Sequence, residues 1–467
     1  MRFVNRRHEL EHLEKEFRDN QAKLIVIYGR RRIGKTRLIE EFLQGRENSG
    51  YYLAAQESDF QQIAEFKEIL GHLLHDDFLL QNQFAGWKSL FTYLEKVWPK
   101  EKKTILAIDE VTYIIKSNPS FTSYLQKFWD TFLSKTKTML ILSGSLVGLM
   151  VEEVFGEKSP LYGRRTSQLK IDPLGFKEAG AFLEGKSFKE KIEIYAITGG
   201  VPKYLMLVAP KEGLAEFILN HCFSKEGFFY QEGLFLISQE FREPSTYLNI
   251  LKAIAFGNSK MNDIANFTGI ESKKISSYLD ILLALGFIKK EVPLTEKRSD
   301  YRGAVYKLED SFLSFWHRFV YPGRSKIEIH EEKSLYAEKK GEIQQFIGKK
   351  FEELCLQFVR QHFSYPETGT WWGHYRDEKN IRQELEVDIC ALDHERRSML
   401  LGECKWSEKV DAFALLRDLK RKAQHIDWNK EKRDVKYALF ARSFSNAEMA
   451  KEKGVYLFDL DTLEKKW

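Results

Sequence analysis

The chain has 467 residues, a net charge of +5 and a charged fraction of 30%. This length exceeds what one hydrophobic core normally supports, and it predicts roughly three domains. The hydrophobic fraction of 43% excludes an intrinsically disordered chain. Acids nearly balance bases, so composition gives no chain-wide argument for nucleic-acid binding, and any basic surface must be local.

Cysteine spacing and hydropathy indicate the compartment. The cysteines Cys222, Cys355, Cys390 and Cys404 form no CxxC pair, so a zinc knuckle is not expected. The first residues enter a polar helical pattern without the apolar region of a secretory signal. The longest apolar run is too short for a bilayer. We therefore expect a cytoplasmic protein that has no membrane contact.

Residues 1–210 alternate short apolar runs with helical stretches. The runs Leu24–Tyr28, Thr104–Ile108 and Thr138–Leu142 are nearly continuous in Ile, Leu and Val. Parallel strands that are buried on both faces require such runs. The pattern predicts a doubly wound α/β domain with a parallel sheet over residues 1–210.

A phosphate-binding loop follows the first of these strands. The segment from Gly29 to Thr36 matches G-x-x-x-x-G-K-[ST], and a helical stretch comes next. Backbone N–H groups of such a loop wrap a β-phosphate, the lysine neutralises phosphate charge and the hydroxyl ligates Mg²⁺. The residues expected to bind ATP or ADP here are Gly29, Arg30, Arg31, Arg32, Ile33, Gly34, Lys35, Thr36 and Arg37.

Two carboxylates end the second strand and complete the expected P-loop ATPase site. Asp109 and Glu110 follow the apolar residues of Thr104–Ile108. We expect Asp109 to hold the Mg²⁺ shell with Thr36, and Glu110 to polarise the attacking water as a general base. A chance acidic pair at a strand end is the alternative, and the order of the two motifs argues against it.

These motifs, together with the opening segment Phe3–Leu10, resemble the archaeal-type ATPases of the AAA+/STAND assemblage over residues 1 to about 320. Phe3–Leu10 resembles the lead-in F-x-x-R-x-x-E-L of that family, which packs near the adenine, although Asn5 stands where a glycine is commoner. Ser143 and Ser145 resemble a sensor that places a hydroxyl near the γ-phosphate. A simple turn at the end of the strand is the alternative for these serines.

The same resemblance assigns two further features. Arg164 and Arg165 match a block that bears candidate arginine fingers, and Pro202 matches the proline that lies against the base in STAND proteins. A solvated basic pair and a helix-ending turn are the alternatives. An arginine finger acting in trans needs a neighbouring subunit, which would make the protein a homo-oligomer.

Residues 211–325 are dominated by helical periodicity. Asn262–Ser272 and Lys273–Gly286 predict two helices joined through a glycine turn, followed by a small hairpin whose loop carries Lys297, Arg298 and Arg302. This order predicts a winged helix-turn-helix domain. The lysines of the second helix are suited to DNA phosphates. In the ATPase family the module resembles instead a lid that packs on the ATPase and senses nucleotide, and both roles stay open.

A charged linker is expected at residues 326–345, before an α/β domain at residues 346–467. Glu352 follows an aromatic residue on a helix, and a hairpin places Asp388 beside Glu403. Strand alternation predicts that Glu403 shares a face with Lys405, and that Asp388 shares a face with Glu386. Glu352, Asp388 and Glu403 would bind Mg²⁺, and Lys405 would position water or offset charge.

This order of residues resembles the restriction-endonuclease-like PD-(D/E)xK superfamily, in the DUF234-type variant that follows archaeal-type ATPases. The resemblance covers residues 341 to about 422 and implies a Mg²⁺-dependent nuclease acting on DNA, gated by the ATPase. Val387 replaces the usual proline. The rival hypothesis is a regulatory protein whose C-terminal domain is a non-cutting docking module. The basic stretch Arg417–His425 is suited to DNA phosphates or to a solvated face.

Overall fold

The computed structural model describes residues 3–157, 159–298, 301, 303–376 and 380–467. Contacts within the chain divide it into two compact units. Unit 1 extends to residue 174 and also takes up residues 201–204. Unit 2 contains residues 175–200 and 205–467. The predicted loop residue Arg302 lies outside the described residues.

Unit 1 contains a sheet and the helices that cover it. The strands are β1 (Lys23–Tyr28), β2 (Ser49–Leu53), β3 (Thr104–Asp109), β4 (Thr138–Gly144) and β5 (Ser167–Lys170). The helices are α1 (Arg7–Arg18), α2 (Lys35–Leu43), α3 (Asp59–Leu74), α4 (Asp77–Gln81), α5 (Trp87–Val97), α6 (Val111–Ser117), α7 (Phe121–Thr131) and α8 (Val147–Met150).

The sheet of unit 1 has the order β2-β3-β4-β1-β5, and each neighbouring pair is parallel. Alternate residues of each central strand enter different cores: Leu24 and Val26 pack on one side of β1, and Ile25 and Ile27 on the other. Burial on both faces explains the unbroken apolar runs of these strands. The predicted parallel sheet is therefore confirmed.

The strand order decides where the acidic residues meet the phosphate loop. The carboxyl ends of β1, β4 and β3 lie side by side at one edge of the sheet. The loop after β1 leads into α2, and Asp109 is the last residue of β3. Segments that are about 70 residues apart in the chain therefore share one edge, which is where ligands bind in parallel α/β sheets.

Unit 2 begins with helices and ends with a mixed sheet. Its helices are α9 (Phe176–Ala179), α10 (Phe188–Thr198), α11 (Pro202–Leu205, which spans the change of unit), α12 (Leu214–Phe217), α13 (Phe228–Glu240), α14 (Pro244–Ala255), α15 (Met261–Thr268), α16 (Ser272–Ala284), α17 (Ser311–Phe315), α18 (Tyr321–Glu328), α19 (Glu332–His362), α20 (Ala412–Ala423) and α21 (Leu460–Lys466). Its strands are β6 (Ile288–Glu291), β7 (Val305–Leu308), β8 (Glu367–Arg376), β9 (Arg382–Asp393), β10 (Ser398–Lys405), β11 (Val410–Asp411), β12 (Asp434–Ala441), β13 (Phe444–Ser445) and β14 (Val455–Phe458).

The middle of the chain contains the helices and hairpin that periodicity predicts. Helix α15 ends at Gly269, whose φ of 70° allows the chain to turn into α16. Strands β6 and β7 then pair antiparallel. The loop between them contacts the edge of the C-terminal sheet, because the Leu294 N–H donates to the Thr370 carbonyl at 3.0 Å.

The C-terminal sheet has the order β14-β12-β10-β9-β8. Strands β8, β9 and β10 are antiparallel neighbours, whereas β10, β12 and β14 run parallel. Helix α19 packs on one face through Phe351 and Phe358, and α20 packs on the other through Leu416 and Leu419. The helices on both faces complete a three-layer arrangement.

The segment expected as a linker at residues 326–345 is largely helical. Helix α19 runs without a break from Glu332 to His362, so a boundary at residue 345 falls inside it. Leu335 and Ile343 are buried along its first half. The charged residues of this segment are the outer face of an amphipathic helix, which a composition-based linker prediction does not separate from a flexible tether.

The division between the units also differs from the expected domain boundary at residue 210. Residues 175–200 belong to unit 2, because Phe176, Phe188 and Ile192 pack in the same core as α19. Residues 201–204, which include Pro202, return to unit 1. In the described part of the chain, no helix is both long and apolar enough to cross a membrane.

Candidate functional site

The phosphate loop depends on a glycine at its first position. Gly29 has a φ of 151°, and a Cβ there would lie 2.4 Å from the carbonyl oxygen of Ile171. Any side chain would therefore push the loop away from the neighbouring backbone. Gly34 has a φ of 93° immediately before α2 begins. The loop thus leads directly into a helix N-terminus, whose N–H groups favour anions.

Lys35 is folded over the loop. Its side chain is buried, and Nζ donates to the carbonyl oxygens of Gly29 at 3.0 Å and Arg30 at 3.1 Å. These bonds draw the loop around the ammonium group. The positive charge therefore lies inside the curve of the loop, where a bound phosphate would meet it.

Asp109 joins the second motif to the first. Its carboxylate is fully buried, and Oδ2 accepts a hydrogen bond from the Thr36 hydroxyl at 2.6 Å. The same oxygen accepts from the Tyr51 hydroxyl at 3.1 Å, and Oδ1 accepts from the Glu110 N–H at 2.9 Å. The two predicted motifs are therefore in direct contact. Sequence reasoning missed Tyr51, since a tyrosine within an apolar strand carries no motif.

Glu110 contacts Ser145, which directly follows β4. Its Oε2 accepts from the Ser145 hydroxyl at 2.7 Å and from the Ser145 N–H at 3.2 Å. Glu110 has a φ of 52°, which turns its side chain out of the strand direction. Ser143 is fully buried, and its Oγ has no hydrogen-bond partner among the described residues. An orphaned hydroxyl at this sheet edge is a polar atom that a ligand would satisfy.

The opening segment fastens the phosphate loop. Arg6 is buried and donates to the carbonyl oxygens of Ile33 at 3.1 Å and Asp172 at 2.6 Å, and it pairs with Glu9 at 3.0 Å. Asn5 has a φ of 56°, a left-handed conformation that asparagine tolerates better than most residues. That conformation explains why asparagine can stand where the family favours glycine.

Two of the remaining predicted nucleotide-site residues are engaged in surface ion pairs. Arg164 makes a bidentate contact with Asp130, with N–O distances of 2.9 to 3.0 Å. Arg37 pairs with Glu40 and Glu41 on its own helix. Both arginines would have to leave these acids before they could contact a nucleotide. The predicted roles of Arg165 and Pro202 stay predictions.

The residues of unit 1 fit a Mg²⁺-triphosphate. The hydroxyl of Thr36 and the carboxylate of Asp109 are the oxygen donors that Mg²⁺ prefers, and they already touch. Lys35 supplies the compensating positive charge at the N-terminus of α2. Ser143 offers an unsatisfied hydroxyl beside them.

A β-bulge shapes the second acidic cluster, in the C-terminal sheet. Gly369 on β8 pairs with Cys390 on β9, and Trp371 on β8 pairs with Val387 on β9. The single residue between Gly369 and Trp371 therefore faces two residues of β9, Asp388 and Ile389. Val387 and Ile389 consequently pack in different cores. A bulge re-aims the side chains beside it.

The expected common face of Asp388 and Glu386 fits the electrostatics, because both carboxylates act on Lys349 and on Glu352. Glu386 is exposed, whereas Asp388 is buried and its Oδ2 accepts from the Cys404 N–H at 2.8 Å. Strict alternation fails one residue later, between Val387 and Ile389, because an extra residue is inserted in β9. The predicted neighbourhood of Asp388 and Glu403 holds, since β9 and β10 are paired as far as Ile389 and Gly402.

Lysines occupy the carboxylate oxygens of this cluster. Glu403 is buried, and its two oxygens accept from Lys405 at 2.8 Å and Lys422 at 2.9 Å. Glu352 pairs with Lys349 at 3.1 Å. Lys405 was expected from the sequence. Lys422 was not, because it lies on α20 and only the packing of that helix brings it to Glu403.

The electrostatics show that the acids of the cluster interact. Burial and the nearby Asp388 carboxylate raise the pKa of Glu352 above its ordinary value. Burial and Glu403 likewise raise the pKa of Asp388. Glu353 points elsewhere and pairs with Lys350 at 3.1 Å. Of these two adjacent glutamates, Glu352 is therefore the one that faces the cluster.

The donor atoms of the cluster suit Mg²⁺, but their arrangement does not present a complete ligand set. Across the described ranges, no group of three or more His, Cys, Asp or Glu residues is placed to hold a metal ion. Lysines pair with Glu403 and Glu352. The expected metal site of Glu352, Asp388 and Glu403 stays a prediction.

The basic helix α20 has limited capacity for phosphates. Lys420 pairs with Glu452, Arg421 with Asp418, and Lys422 with Glu403. Acids already neutralise these cations, so α20 contributes structure more than a free basic face.

The parallel sheet, its phosphate loop and the adjoining acidic strand define a P-loop ATPase. The Walker-type ATPase paby2304 of Pyrococcus abyssi has a similar fold: the TM-score is 0.51 at 18% identity, covering 68% of this chain and 96% of that chain. Residues 3–208 match the family described as "ATPase domain predominantly from Archaea". Residues 316–423 match the family DUF234, described as "Archaea bacterial proteins of unknown function".

Relatives extend the match over the whole chain. Uncharacterized protein MJECL04 of Methanocaldococcus jannaschii is 33% identical over 472 residues, which cover 98% of this chain and 99% of the relative. Uncharacterized ATP-binding protein MJ0423 of the same organism is 56% identical over 45 residues, or 10% of this chain and 76% of that protein. The chain belongs to the family of archaeal-type ATPases that carry a C-terminal DUF234 domain.

Proposed function

We propose that unit 1 binds ATP with Mg²⁺ and hydrolyses it, and that the chain works as a nucleotide-driven switch. The observation that carries this proposal is the 2.6 Å hydrogen bond between Thr36 and Asp109, which joins the phosphate loop to the acidic strand. Lys35 inside the loop and the orphaned Ser143 hydroxyl support it. The similarity of Arg6, Ser143 and Ser145 to their family positions supports placement in the AAA+/STAND assemblage.

Each residue has a distinct role in this proposal. Lys35 offsets the charge of the β- and γ-phosphates, and Thr36 and Asp109 hold the Mg²⁺, which supplies further positive charge when bound. Glu110 accepts a proton from the attacking water. The hydrogen bonds from Ser145 fix the Glu110 carboxylate at the end of β4. Arg164 or Arg165 would serve as an arginine finger only after leaving its present contacts.

The test of ATP binding compares Lys35→Ala with the unmodified chain. We expect nucleotide binding or turnover to fall by about 100-fold or more, since removing the ammonium leaves phosphate charge uncompensated. Lys15→Ala is a matched control, because Lys15 lies on the surface of α1 away from the loop. Unchanged ATP affinity in Lys35→Ala would contradict the assignment of the site.

We propose as a second function that the C-terminal domain is a PD-(D/E)xK-type, Mg²⁺-dependent DNA nuclease. The observation that favours it is the buried cluster that Asp388 forms with Glu403 and Glu352, beside a bulge in β9. Buried carboxylates with raised pKa values are commoner at functional sites than elsewhere. Lysines pair with Glu352 and Glu403, and they would offset part of the negative charge that a metal meets there.

A docking module that does not cut is the alternative, and the lysine pairs of Glu403 favour it. Plasmid DNA incubated with Mg²⁺ and ATP, ADP or no nucleotide separates the two. Nicking that disappears in Asp388→Ala and Lys405→Ala supports the nuclease. DNA left intact in every nucleotide state by all proteins contradicts it. Glu395→Ala is the matched control, since Glu395 is exposed in the turn between β9 and β10.

We further propose that residues 211–325 form a winged helix-turn-helix domain. The loop of its hairpin contacts β8, because the Leu294 N–H donates to the Thr370 carbonyl and the Trp371 Nε1–H donates to the Thr295 hydroxyl. Lys273 and Lys274 are exposed, so their ammonium groups are accessible to DNA phosphates. Loss of DNA binding in Lys273→Ala/Lys274→Ala would support a role as a DNA-binding module.

A further inference from the structure

Two adjacent tyrosines on β2 point to opposite faces of the sheet. Tyr52 enters the core beside Phe66, with ring centroids 5.3 Å apart, and its hydroxyl has no hydrogen-bond partner among the described residues. Tyr51 faces the side of α2, where it lies against the second core of unit 1. Its hydroxyl reaches the end of the neighbouring strand and donates to Asp109 Oδ2 at 3.1 Å.

The Asp109 carboxylate is held by donors from different elements. The hydroxyls of Thr36 on α2 and Tyr51 on β2 both donate to Oδ2, and the Glu110 N–H donates to Oδ1. Parallel pairing sets Leu53 opposite Asp109, so Tyr51 lies two residues earlier and leans along the strand to reach it. The contact therefore depends on a long side chain that ends in a hydroxyl at this position.

The Tyr51 hydroxyl can act as a hydrogen-bond donor at every physiological pH. An ordinary tyrosine hydroxyl stays protonated throughout the physiological pH range, so this hydroxyl continues to donate to the Asp109 carboxylate. A hydrogen bond to a charged group that is partly shielded from water is stronger than one between neutral groups.

We propose that Tyr51 is a positioning residue for the metal-binding half of the nucleotide site. Its hydroxyl fixes the direction of the Asp109 carboxylate while Thr36 divides its bonding between Asp109 and the metal. This inference rests on the proposed Mg²⁺-nucleotide function. It concerns metal-dependent affinity and leaves the contact between Lys35 and the phosphates unchanged.

The experiment measures the binding of a fluorescent ADP, N-methylanthraniloyl-ADP, to the full chain in Mg²⁺ and in EDTA. In Tyr51→Phe we expect the gain in affinity that Mg²⁺ provides to fall about tenfold, since one hydrogen bond to a charged group is lost. Affinity in EDTA stays within about twofold. A residue with a merely structural role would lower both affinities together. That outcome, or an unchanged gain, overturns the proposal.

Two further variants make the result specific. Tyr52→Phe removes the neighbouring hydroxyl, which has no partner in the described structure, so its Mg²⁺ gain should equal that of the unmodified chain. In an Asp109→Asn background, Tyr51→Phe should reduce the Mg²⁺-dependent gain in ADP affinity by less than it does in the otherwise unmodified chain, because the two residues act through one contact. An equal reduction of that gain in both backgrounds would overturn the proposal.

Failure of the underlying function gives a different result. If the unmodified chain binds the fluorescent ADP no better with Mg²⁺ than with EDTA, or if Lys35→Ala binds it normally, the proposed nucleotide site is wrong. If both behave as expected and Tyr51→Phe matches the unmodified chain, only the role of Tyr51 is wrong.

Discussion

The two sheets of the molecule present their acidic residues in different ways. In unit 1, Asp109 is the last residue of a parallel strand, and strand order alone carries it to the phosphate loop. In unit 2, Asp388 lies within an antiparallel strand, and a bulge aims it. A site at a strand end follows from local sequence and topology. A site within a strand depends on the register between strands.

The state of the charges also differs between the two sites. Hydroxyl and N–H donors hold the Asp109 carboxylate, whereas lysines hold both oxygens of Glu403. Neutral donors leave the negative charge of Asp109 available to a cation. Lysines neutralise Glu403 internally. The first site therefore keeps a negative charge that a cation would meet, whereas lysines offset the charge of the second.

The largest expected effect tests whether the paired lysines neutralise the charge of Glu403. The Glu403 and Lys422 side chains are 6% and 13% exposed. Glu403→Gln removes the nearer of the two acids that pair with the Lys422 ammonium and leaves Asp418 at 3.6 Å, which should destabilise unit 2 by about 3 kcal/mol. Thermal and denaturant unfolding of the full chain measure the loss. The double variant Glu403→Gln/Lys422→Met should recover most of it. Unchanged stability in Glu403→Gln would remove the contrast between the two sites.

A slightly smaller effect is expected at Glu110, in unit 1. Glu110→Gln keeps the hydrogen bonding with Ser145 but removes the base, so turnover should fall by about 100-fold, or about 2.7 kcal/mol in the barrier. Nucleotide affinity should stay the same. Steady-state ATP hydrolysis and equilibrium binding measure these quantities separately. Full ATP turnover in Glu110→Gln would show that Glu110 is not the base and that the acidic end of β3 contributes only to nucleotide binding.

The response of unit 2 to acid should be set partly by His317. Burial, followed by the charge of Lys252, lowers the pKa of His317 to about 3. Unfolded histidine has a pKa of about 6.5, so the unfolded state binds more protons between these values. The stability from neutral His317 is complete above pH 6.5 and is lost as the pH falls towards 3. At pH 5 the loss is about 2 kcal/mol.

The pH effect can be isolated by substitution. His317→Leu should flatten the pH dependence of the free energy of unfolding between pH 7 and pH 5, while other titrating groups contribute equally to both proteins. Unfolding curves at both pH values measure the difference. If the variant and the unmodified chain lose the same stability on acidification, His317 is accessible to protons in the folded state.

The smallest expected effect concerns the loop that contacts β8 beside the bulge. Trp371 is buried, and its Nε1–H donates to the Thr295 hydroxyl at 3.1 Å. Thr295→Val leaves that donor unsatisfied and should cost about 1 kcal/mol in the stability of unit 2. Thr295→Ser retains a hydroxyl and serves as the matched control. Equal stability of Thr295→Val and Thr295→Ser would show that this hydrogen bond contributes nothing.

Local signals predicted much of unit 1. The run of apolar residues before Gly29 and before Asp109 marks strands that are buried on both faces, and parallel pairing brings their ends together. Asn5 and Gly29 are suited to the conformations that they adopt. Tyr51 could not be predicted, because its partner lies 58 residues away and no spacing rule connects a strand tyrosine to it.

The sequence by itself determined the phosphate loop, the acidic strand end and the alternation of helices and strands, since each depends on residues that are adjacent in the chain. Only the tertiary structure decided that residues 175–200 pack with unit 2, that α19 replaces a linker, and that a bulge interrupts β9 at Asp388 and Ile389. These outcomes depend on which segments pack against each other. Side-chain packing and strand register select the packing partners, which are far apart in the chain, and a local sequence pattern carries no information about them.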